Sequence, residues 1–353
     1  MSTPTDVKNR TLSYVDALNE AVEQEMDLDE NVFVIGLNVD DHKGIQGTTR
    51  GMFDKFGSER VMDTPLSEDA VTGICIGAAM AGMRPIHVHI RMDFLLLCMN
   101  QLVNMAAKAH YMYGGQTRVP MVARSIIGKS WGQGAQHSQG LHSMFMHVPG
   151  LKVVAPTNAY DAKGCLIAAI RDNNPVIFVE HRLLYGTSAP VPETPYTVEF
   201  GKARIVGDGA DITLVGISYM LVECLAARDL LAEVGISAEV IDPVSLMPLD
   251  VDTIAASAGR TGKMLVIDNA WTAAGAGAEI VAAVCERGNA PIVRRMGYAP
   301  TTCPATPSLE KDFYPNATTI AAMAFAMARP GEPVWTPDAE PTLPHEAAFR
   351  GPF

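Results

Sequence analysis

Short, uninterrupted apolar segments alternate with longer segments of helical periodicity along most of this chain, and this alternation limits its fold more than any other feature. In the first half the predicted strands are residues 32–36, 61–62, 85–90, 119–123, 151–154 and 176–180. In the second half they are residues 212–216, 238–242, 264–267 and 292–296. Strands that are apolar on both faces and separated by helices are typical of parallel sheets covered on both sides. The sequence therefore predicts an α/β protein with parallel sheets.

Apolar residues at helical spacing predict helices between and beside these strands. The predicted helices are residues 11–26, 94–113, 159–171, 221–234, 251–258, 276–286 and 318–327. Gly114 and Gly115 should end the second of them, since glycine readily adopts the left-handed conformation that follows a helix. The same helix is so apolar between residues 94 and 107 that we expect part of its surface to be buried against another subunit.

A chain of 353 residues, 48% of them hydrophobic, is long enough to bury two cores. The segment 186–200 is rich in proline and looks like a linker, so the expected domains are residues 1–185 and 201–328. Residues 329–353 contain six prolines and little periodicity. They are interpreted either as a disordered tail or as an arm that lies on a partner.

Charge and cysteine usage restrict the class of protein. The net charge is −12 without a stripe of basic residues, which argues against binding to nucleic acid or anionic membranes. No apolar run is long enough to span a bilayer, and the polar N-terminus does not resemble a signal peptide. The six cysteines are scattered without a CxxC motif, so they predict neither a disulfide framework nor a zinc site. We therefore expect a reducing, cytoplasmic location.

The segment from Asp63 to Ala70 is the most informative local motif. A short strand reaches a proline turn, and Ser67 is then expected to cap a helix that begins with Glu68. The helix continues through small apolar residues that should pack tightly. A carboxylate at the mouth of such a helix either titrates abnormally or binds a polar group. Spacing alone favours a helix-capping acid.

Ten motifs, in order along nearly the whole chain up to about Ala328, resemble the β subunits of thiamine-diphosphate-dependent 2-oxo acid dehydrogenase E1 components. They are DTPLSE (63–68), RPI (84–86), MDF (92–94), AAK (106–108), YMYGG (111–115), GAQHSQ (134–139), PGLKVVAP (149–156), DAKG (161–164), IRDNNP (170–175) and LYG (184–186). Pyruvate, branched-chain 2-oxo acid and acetoin dehydrogenases share this subunit type. The resemblance implies a pyrimidine-binding domain, a C-terminal transketolase-type domain and an α2β2 heterotetramer with cofactor sites at the α/β interfaces.

The resemblance also assigns roles to individual residues. Glu68 matches the carboxyl group that hydrogen-bonds to a pyrimidine ring nitrogen and drives the ring to its imino form. Phe94 matches the aromatic residue that packs on the pyrimidine, although an ordinary core phenylalanine is the alternative. Leu66 is expected to offer backbone and apolar contact to the same ring. His137, in the glycine-rich segment 128–140, matches a histidine that acts at the substrate carbonyl or in acyl transfer; spacing alone favours a loop histidine bonded to backbone.

Three groups of residues in the sequence are candidates for metal binding. His142 and His147 follow His137 at five-residue intervals, a poor spacing for a metal site. His87 and His89 share one strand face, so zinc is conceivable, but no third ligand is visible in the sequence. By resemblance, a potassium ion is held by Ala169, Asp172 and Asn174, with a carbonyl from Met121; a simple helix-ending turn is the alternative.

The chain lacks the half of a thiamine-diphosphate site that grips diphosphate. Gly207-Asp208-Gly209 resembles the start of the diphosphate–magnesium motif, yet no asparagine follows at a suitable distance. Gly275 to Gly277 begin a helix without the full GxGxxG pattern. We therefore predict an α subunit that supplies the diphosphate contacts and holds Mg²⁺.

Departures from the family pattern concern the substrate. Lys129 and Trp131 lie in a loop that relatives fill with small residues, and Arg91 precedes the MDF motif. We hypothesise a reshaped pocket in which a basic side chain binds an anionic substrate group and Trp131 narrows the entrance. The alternative is that both loop side chains point to solvent.

Three functions are compatible with these observations. The first is the β subunit of an E1-type enzyme that decarboxylates a 2-oxo acid, or cleaves acetoin, and transfers the acyl unit to a lipoyl carrier on an E2 acyltransferase. The second is a two-subunit transketolase-like enzyme that transfers a two-carbon or acyl unit to an aldehyde. The third is a structural subunit without chemistry, against which the retained Glu68, Phe94 and His137 argue.

Overall fold

The computed structural model describes residues 10–41, 43–129, 132–288 and 290–338, together with Pro341 and Leu343. These residues form two compact units. Unit 1 contains the described chain up to Ile126 and the segment Met144–Glu199. Unit 2 contains Ile127–Ser143 and the chain from Phe200 to the last described residue. The glycine-rich segment that carries His137 therefore belongs to unit 2, although most of its sequence neighbours belong to unit 1.

Unit 1 is built on a parallel sheet. Its strands, in chain order, are β1 (Arg10–Ser13), β2 (Val32–Gly36), β3 (Val61–Asp63), β4 (Arg84–His89), β5 (Val122–Ile127), β6 (Lys152–Val154), β7 (Val176–His181) and β8 (Ser188–Val191). Six of these strands lie in one sheet in the order β6-β7-β5-β4-β2-β3. Strand β2 pairs in parallel with β3 and β4, β4 with β5, and β6 with β7. Strand β8, in the segment predicted as a linker, pairs antiparallel with β1.

The helices of this half of the chain lie between its strands. They are α1 (Tyr14–Leu28), α2 (Met52–Phe56), α3 (Glu68–Met80), α4 (Met92–Leu95), α5 (Ala107–Met112), α6 (His142–Met146) and α7 (Ala159–Arg171). The buried sides of α1 and α7 include Ala17 and Ala159, which share a core cluster with Val191 of β8. Helices α2 and α6 are short, and the periodicity of the sequence did not predict them.

Two predicted boundaries in unit 1 were wrong. The first helix begins at Tyr14 rather than Thr11, because Thr11 belongs to β1 and the Ser13 side chain caps the helix by accepting from the backbone N–H of Asp16 at 3.1 Å. Strand β5 begins at Val122 rather than Val119, since Pro120 has no N–H to donate to a neighbouring strand.

The predicted helix over residues 94–113 follows a helical path but is not regular. Helix α4 is followed by a 3₁₀ turn at Leu96–Cys98 and a π-helical segment at Asn100–Ala106 before α5 begins. Its predicted end is confirmed. Gly114 and Gly115 have φ angles of 60° and 79°, and the Gly115 N–H donates to the His110 carbonyl at 2.8 Å.

Unit 2 is a second α/β unit. Its strands are β9 (Arg204–Gly207), β10 (Ile212–Gly216), β11 (Ala238–Asp242), β12 (Ser245–Met247), β13 (Lys263–Trp271) and β14 (Ile292–Tyr298). Its helices are α8 (Met220–Glu233), α9 (Val251–Thr261), α10 (Ala276–Glu286), α11 (Pro307–Phe313) and α12 (Ala317–Ala328). Five strands lie in the order β14-β13-β10-β11-β9, and only the edge pair of β9 and β11 is antiparallel among them.

Aromatic side chains pack beside the β13–β14 edge of unit 2. Tyr298, Phe313 and Tyr314 form a cluster with Trp271, with ring centroids 4.7–6.5 Å apart. Trp335, at the start of the predicted C-terminal arm, packs on Phe325 of α12 with centroids 5.1 Å apart. Most of the arm lies outside the described residues.

Five of the six cysteines are buried, and Cys285 is half-buried. Within the described ranges, no helix is both long and apolar enough to cross a membrane.

Candidate active site

Glu68 is the first residue of α3 in unit 1, as predicted, and its side chain is half-buried. The predicted cap by Ser67 was wrong, because its side chain makes no capping hydrogen bond. The Ser67 backbone has φ −158° and ψ 58°, which is not the extended conformation that turns a hydroxyl back toward the first helical N–H groups. The carboxylates of Glu68 and Asp69 instead supply negative charge at the positive end of the helix.

The small-residue helix packs on one side only. Val71, Cys75, Ile76 and Ala79 are buried, as tight packing requires. On the other side Ile74 is 60% exposed, and open space surrounds the position where a Cβ on Gly77 would lie. The helix therefore presents a smooth, partly apolar surface away from the core of unit 1.

The two predicted apolar contacts to the pyrimidine are exposed. Phe94 lies in α4 with 38% of its surface accessible, and Leu66 is 76% exposed. Phe94 is therefore not the ordinary core residue that was its alternative. Cys98 lies one helical turn after Phe94, where burial raises the pKa of its thiol to about 11. A hydrogen bond with Thr72 opposes this rise, and the charges of Glu68 and Asp69 add to it. Hence Glu68 lies beside the helical segment that begins near Phe94.

His87 and His89 of β4 form a buried pair behind these residues. Nε2 of His89 lies 3.2 Å from Nδ1 of His87, and the Sγ of Cys98 lies 4.0 Å from the same Nε2. Thr72 Oγ1 donates to the Glu68 carbonyl at 2.7 Å, so Nδ1 of His87, 3.2 Å away, must be the donor to Thr72. Burial lowers the pKa of His87 to about 4 and that of His89 well below its usual value.

His87, His89, Thr72 and Cys98 form a cluster of polar contacts. The cluster links β4, the first turn of α3 and the segment after Phe94. Across the ranges that the structure describes, no three His, Cys, Asp or Glu side chains are grouped to hold a metal ion. Thr72 and Cys98 were not predicted as neighbours of the site. Thr72 lies four residues after Glu68, and Cys98 lies four residues after Phe94. Because residues four apart share a helix face, this spacing could have indicated that they are neighbours of the site.

His137 lies in unit 2, directly after a 3₁₀ turn at Gly134–Gln136, and its side chain is half-buried. Lys129 precedes it in the same segment, with Nζ 5.7 Å from the centroid of the Tyr314 ring. The positive charge of Lys129 also lowers the pKa of Glu310, although burial outweighs it and raises that pKa overall. Trp131, the other predicted pocket residue, lies outside the described residues.

The segment after His137 is held by three contacts within unit 2. The Tyr298 hydroxyl donates to the Ser138 carbonyl at 3.4 Å. A Cβ on Gly140 would lie 1.7 Å from the Asn269 carbonyl oxygen, so only glycine fits there. Nε2 of His142 lies 3.0 Å from Oδ1 of Asp268, with both side chains buried. From the sequence, His142 was interpreted only as a poor metal ligand, and no pattern indicated Asp268 as a residue of the site.

The residues predicted to hold potassium lie together in unit 1, around the end of α7 and the start of β7. The Met121 carbonyl accepts from the Val176 N–H at 3.0 Å, and the Ala169 carbonyl accepts from the Asp172 N–H at 3.3 Å. Oδ1 of Asp172 accepts from the Asn174 N–H at 2.9 Å, and its other oxygen pairs with Lys152. The structure thus brings the four oxygen-bearing residues to one place, where hydrogen bonds already engage several of their oxygens.

The glycines that were rejected as a diphosphate motif have a packing role. Gly207 ends β9, and a Cβ on Gly209 would lie 2.1 Å from the backbone of Ala238 in β11. These residues form a tight turn against the neighbouring strand.

Comparison with known proteins agrees with the two-unit architecture. Residues 10–187 match the transketolase pyrimidine-binding domain, and residues 201–320 match the transketolase C-terminal domain. A solved split-gene transketolase, described as an inactive beta4 tetramer, matches with a TM-score of 0.73 and covers 90% of this chain and 99% of that chain. At 19% sequence identity, this likeness shows the fold alone.

Closer relatives are found by sequence. The β subunit of acetoin:2,6-dichlorophenolindophenol oxidoreductase from Cupriavidus necator is 42% identical over 328 residues, which are 89% of this chain and 97% of the relative. The pyruvate dehydrogenase E1 component subunit beta from Rickettsia bellii is 44% identical over 269 residues, which are 76% of this chain and 83% of the relative. This chain therefore belongs to the transketolase-type family that contains the β subunits of these two enzymes.

Proposed function

We propose that this chain is the β subunit of a thiamine-diphosphate-dependent E1-type enzyme that acts on a 2-oxo acid or on acetoin. The observation that carries the proposal is the arrangement in unit 1. A half-buried carboxyl group begins α3, and the exposed aromatic ring of Phe94 lies in α4, at the start of the helical segment beside it. Both positions match the family motif, and relatives that cover 89% and 76% of this chain are named as β subunits of acetoin:2,6-dichlorophenolindophenol oxidoreductase and of the pyruvate dehydrogenase E1 component.

Thiamine diphosphate, when bound, would supply a nucleophilic carbon for the substrate carbonyl. Glu68 would then hold a proton at the pyrimidine ring nitrogen, while Phe94 and Leu66 would cover the ring and exclude water. The hydrogen bond from Thr72 to the Glu68 carbonyl helps to fix the first turn of α3, so that the carboxyl group keeps its direction. His137 donates or accepts a proton at the substrate oxygen and assists transfer of the acyl unit to a lipoyl carrier.

An α subunit is proposed to complete the site and to hold the diphosphate and Mg²⁺. Large apolar side chains of α3 and of the segment from Leu96 to Met112 remain exposed in unit 1. They are Ile74, Met80, Leu97, Met105, Tyr111 and Met112. Exposed apolar side chains in such number on adjacent helices are typical of a surface that another chain covers. We propose an α2β2 heterotetramer, which is the assembly that the family resemblance implies.

The substrate pocket is proposed to include Lys129 and Trp131 beside His137. Lys129 is half-buried against Tyr314, so its charge has a defined position in unit 2. A fixed ammonium group of this kind binds a carboxylate or another anionic group of the substrate. Lys129→Ala should raise KM for an anionic substrate without weakening thiamine diphosphate binding; an unchanged KM for every anionic substrate would refute this role.

A potassium ion bound by Met121, Ala169, Asp172 and Asn174 remains part of the proposal. The gathering of their oxygens at the end of α7 supports it, and the Lys152 charge on Asp172 opposes it. A melting temperature that rises in potassium but not in an equal concentration of sodium would support the site. Equal melting temperatures in the two salts would remove it.

The decisive experiment is co-expression with the α subunit, followed by assays with several donors. CO₂ release is measured with a series of 2-oxo acids, and dye reduction by 2,6-dichlorophenolindophenol is measured with acetoin. An aldehyde acceptor without lipoamide tests the transketolase-like alternative by product mass. No activity with any donor, or tight thiamine diphosphate binding by this chain alone, would contradict the proposal. Fractionation of the source cells tests the proposed cytoplasmic location.

A further inference from the structure

After His137, every second residue up to His142 contacts strand β13 or β14 of unit 2. Ser138 is held through its carbonyl by Tyr298 of β14, and Gly140 lies directly against the Asn269 carbonyl of β13. His142 then reaches Asp268, the residue before Asn269 on the same strand. Only the last of these contacts joins two side chains with ionisable groups.

The side chains of His142 and Asp268 are both buried. The His142 side chain has no accessible surface, and Asp268 is 4% accessible. Nε2 and Oδ1 are 3.0 Å apart. Within the described part of the chain, neither the two ring nitrogens of His142 nor the two carboxylate oxygens of Asp268 form a hydrogen bond, so Nε2 and Oδ1 approach closely without hydrogen-bond geometry. Each group therefore depends on the other, since a buried polar group without its partner is strongly unfavourable.

We propose that His142 and Asp268 are a pair of positioning residues that hold the loop carrying His137 and so set the direction of its imidazole. Neither residue touches the substrate. This inference rests on the proposed function, because it deepens the role given there to His137.

The argument depends on the rigidity of a short connection. Four residues separate His137 from His142, and two contacts already restrain the chain between them. If the contact to Asp268 is lost, α6 is released at its first residue and the loop can shift away from β13. A shift of about 1 Å at a catalytic group can lower the rate by about a hundredfold. The folded state can survive the same shift.

The experiment uses the full chain assembled with its α subunit and compares three variants. Asp268→Asn and His142→Gln weaken the pair while preserving size. The double variant H142L/D268L replaces both groups by apolar side chains and leaves no buried partner unpaired. His147→Gln is the matched control, because His147 is exposed and lies five residues beyond His142.

Four quantities are measured for each variant: kcat, the apparent affinity for thiamine diphosphate, the melting temperature, and deuterium exchange of peptides covering residues 134–141. We expect Asp268→Asn and His142→Gln to lower kcat at least tenfold and to speed exchange in that loop, with cofactor affinity changed less than twofold. The double variant should recover the melting temperature without recovering kcat. The control should match the wild type in all four quantities.

Specific results would overturn the inference. If H142L/D268L regains both the melting temperature and kcat, the pair serves only stability. If the double variant does not fold, unchanged loop exchange in both single variants refutes the inference, and faster exchange with a tenfold lower kcat supports it. If the wild-type complex is inactive with every donor, the proposed function fails. The exchange of residues 134–141 then still decides whether the pair holds the loop.

Discussion

At the scale of single residues, unit 1 contains two buried ionisable pairs of opposite character. Arg124 and Glu180 are both 1% accessible and form two hydrogen bonds, of 2.7 and 3.0 Å, so two full charges compensate each other. His87 and His89 are also buried but are kept neutral by desolvation. The first pair is a structural ion pair, whereas the second lies behind Glu68 and makes its surroundings sensitive to acid.

Replacing Glu68 by Gln should abolish most activity with little effect on folding. The substitution removes the carboxyl group that is proposed to hold the pyrimidine proton, but it keeps a polar side chain at a half-buried helix start. We expect kcat to fall about 10²–10⁴-fold, the range for loss of a general acid–base group. Asp69→Asn, at the next and exposed position, is the control and should retain nearly full activity. Comparable losses in both variants would show that only the helix charge matters.

The neutral histidine pair predicts loss of stability in mild acid. Because burial lowers the pKa of His87 from 6.5 to about 4, its contribution to stability is complete above pH 6.5 and is lost as pH falls toward 4. By linkage, His87 alone should lower the free energy of unfolding by about 2 kcal/mol between pH 7 and pH 5. Urea unfolding at both pH values measures this difference.

His87→Asn removes the titrating group while keeping an N–H donor near Thr72. The variant should lose less stability than the wild type over the same pH interval, and His147→Asn should behave as the wild type does. Equal losses in the wild type and in His87→Asn would contradict the assignment.

At the scale of elements, boundaries were decided by contacts that a local pattern does not contain. The apolar periodicity near residue 11 is continuous, yet Ser13 ends a strand and caps α1. The apolar run before β5 includes a proline that cannot join the sheet on its N–H side. The loop of His137 is a similar case, because Gly140 is explained only by its close approach to Asn269 of β13.

Gly140→Ala should show this dependence directly. The new methyl group would overlap the Asn269 carbonyl oxygen, so the loop must move or β13 must distort. We expect a loss of about 1–3 kcal/mol in the free energy of unfolding and a lower kcat. Gly77→Ala is the matched control for stability in the unassembled chain, because its Cβ meets no atom within 4 Å and alanine favours a helix. A neutral Gly140→Ala would refute the close approach.

At the scale of the whole molecule, each unit has its own sheet and core, and unit 1 exposes apolar helices that a monomer has no reason to expose. Ile74 on α3 and Leu97 beyond Phe94 are 60% and 58% accessible. The relatives of this chain are β subunits of larger enzymes, so assembly is the natural explanation. It also explains why a helix of small residues packs on one side only.

A charge placed on this surface should block assembly without unfolding the chain. Ile74→Glu would bury a carboxylate in an apolar contact, at a cost of several kcal/mol. We expect sedimentation to show loss of the complex with the α subunit, while circular dichroism remains unchanged. Leu28→Glu is the matched control, since Leu28 is 65% exposed at the end of α1. Assembly that survives Ile74→Glu would place the interface elsewhere.

The sequence by itself determined the α/β class, the parallel sheets, the start of α3 at Glu68 and the family. All of these follow from periodicity and short motifs, which are properties of neighbouring residues. Only the tertiary structure decided that Phe94 is exposed, that His87, His89, Thr72 and Cys98 form one cluster, and that the His137 loop belongs to unit 2. The pairing of His142 with Asp268 joins residues more than a hundred positions apart. No local pattern encodes such a contact, because it exists only after the strands have packed.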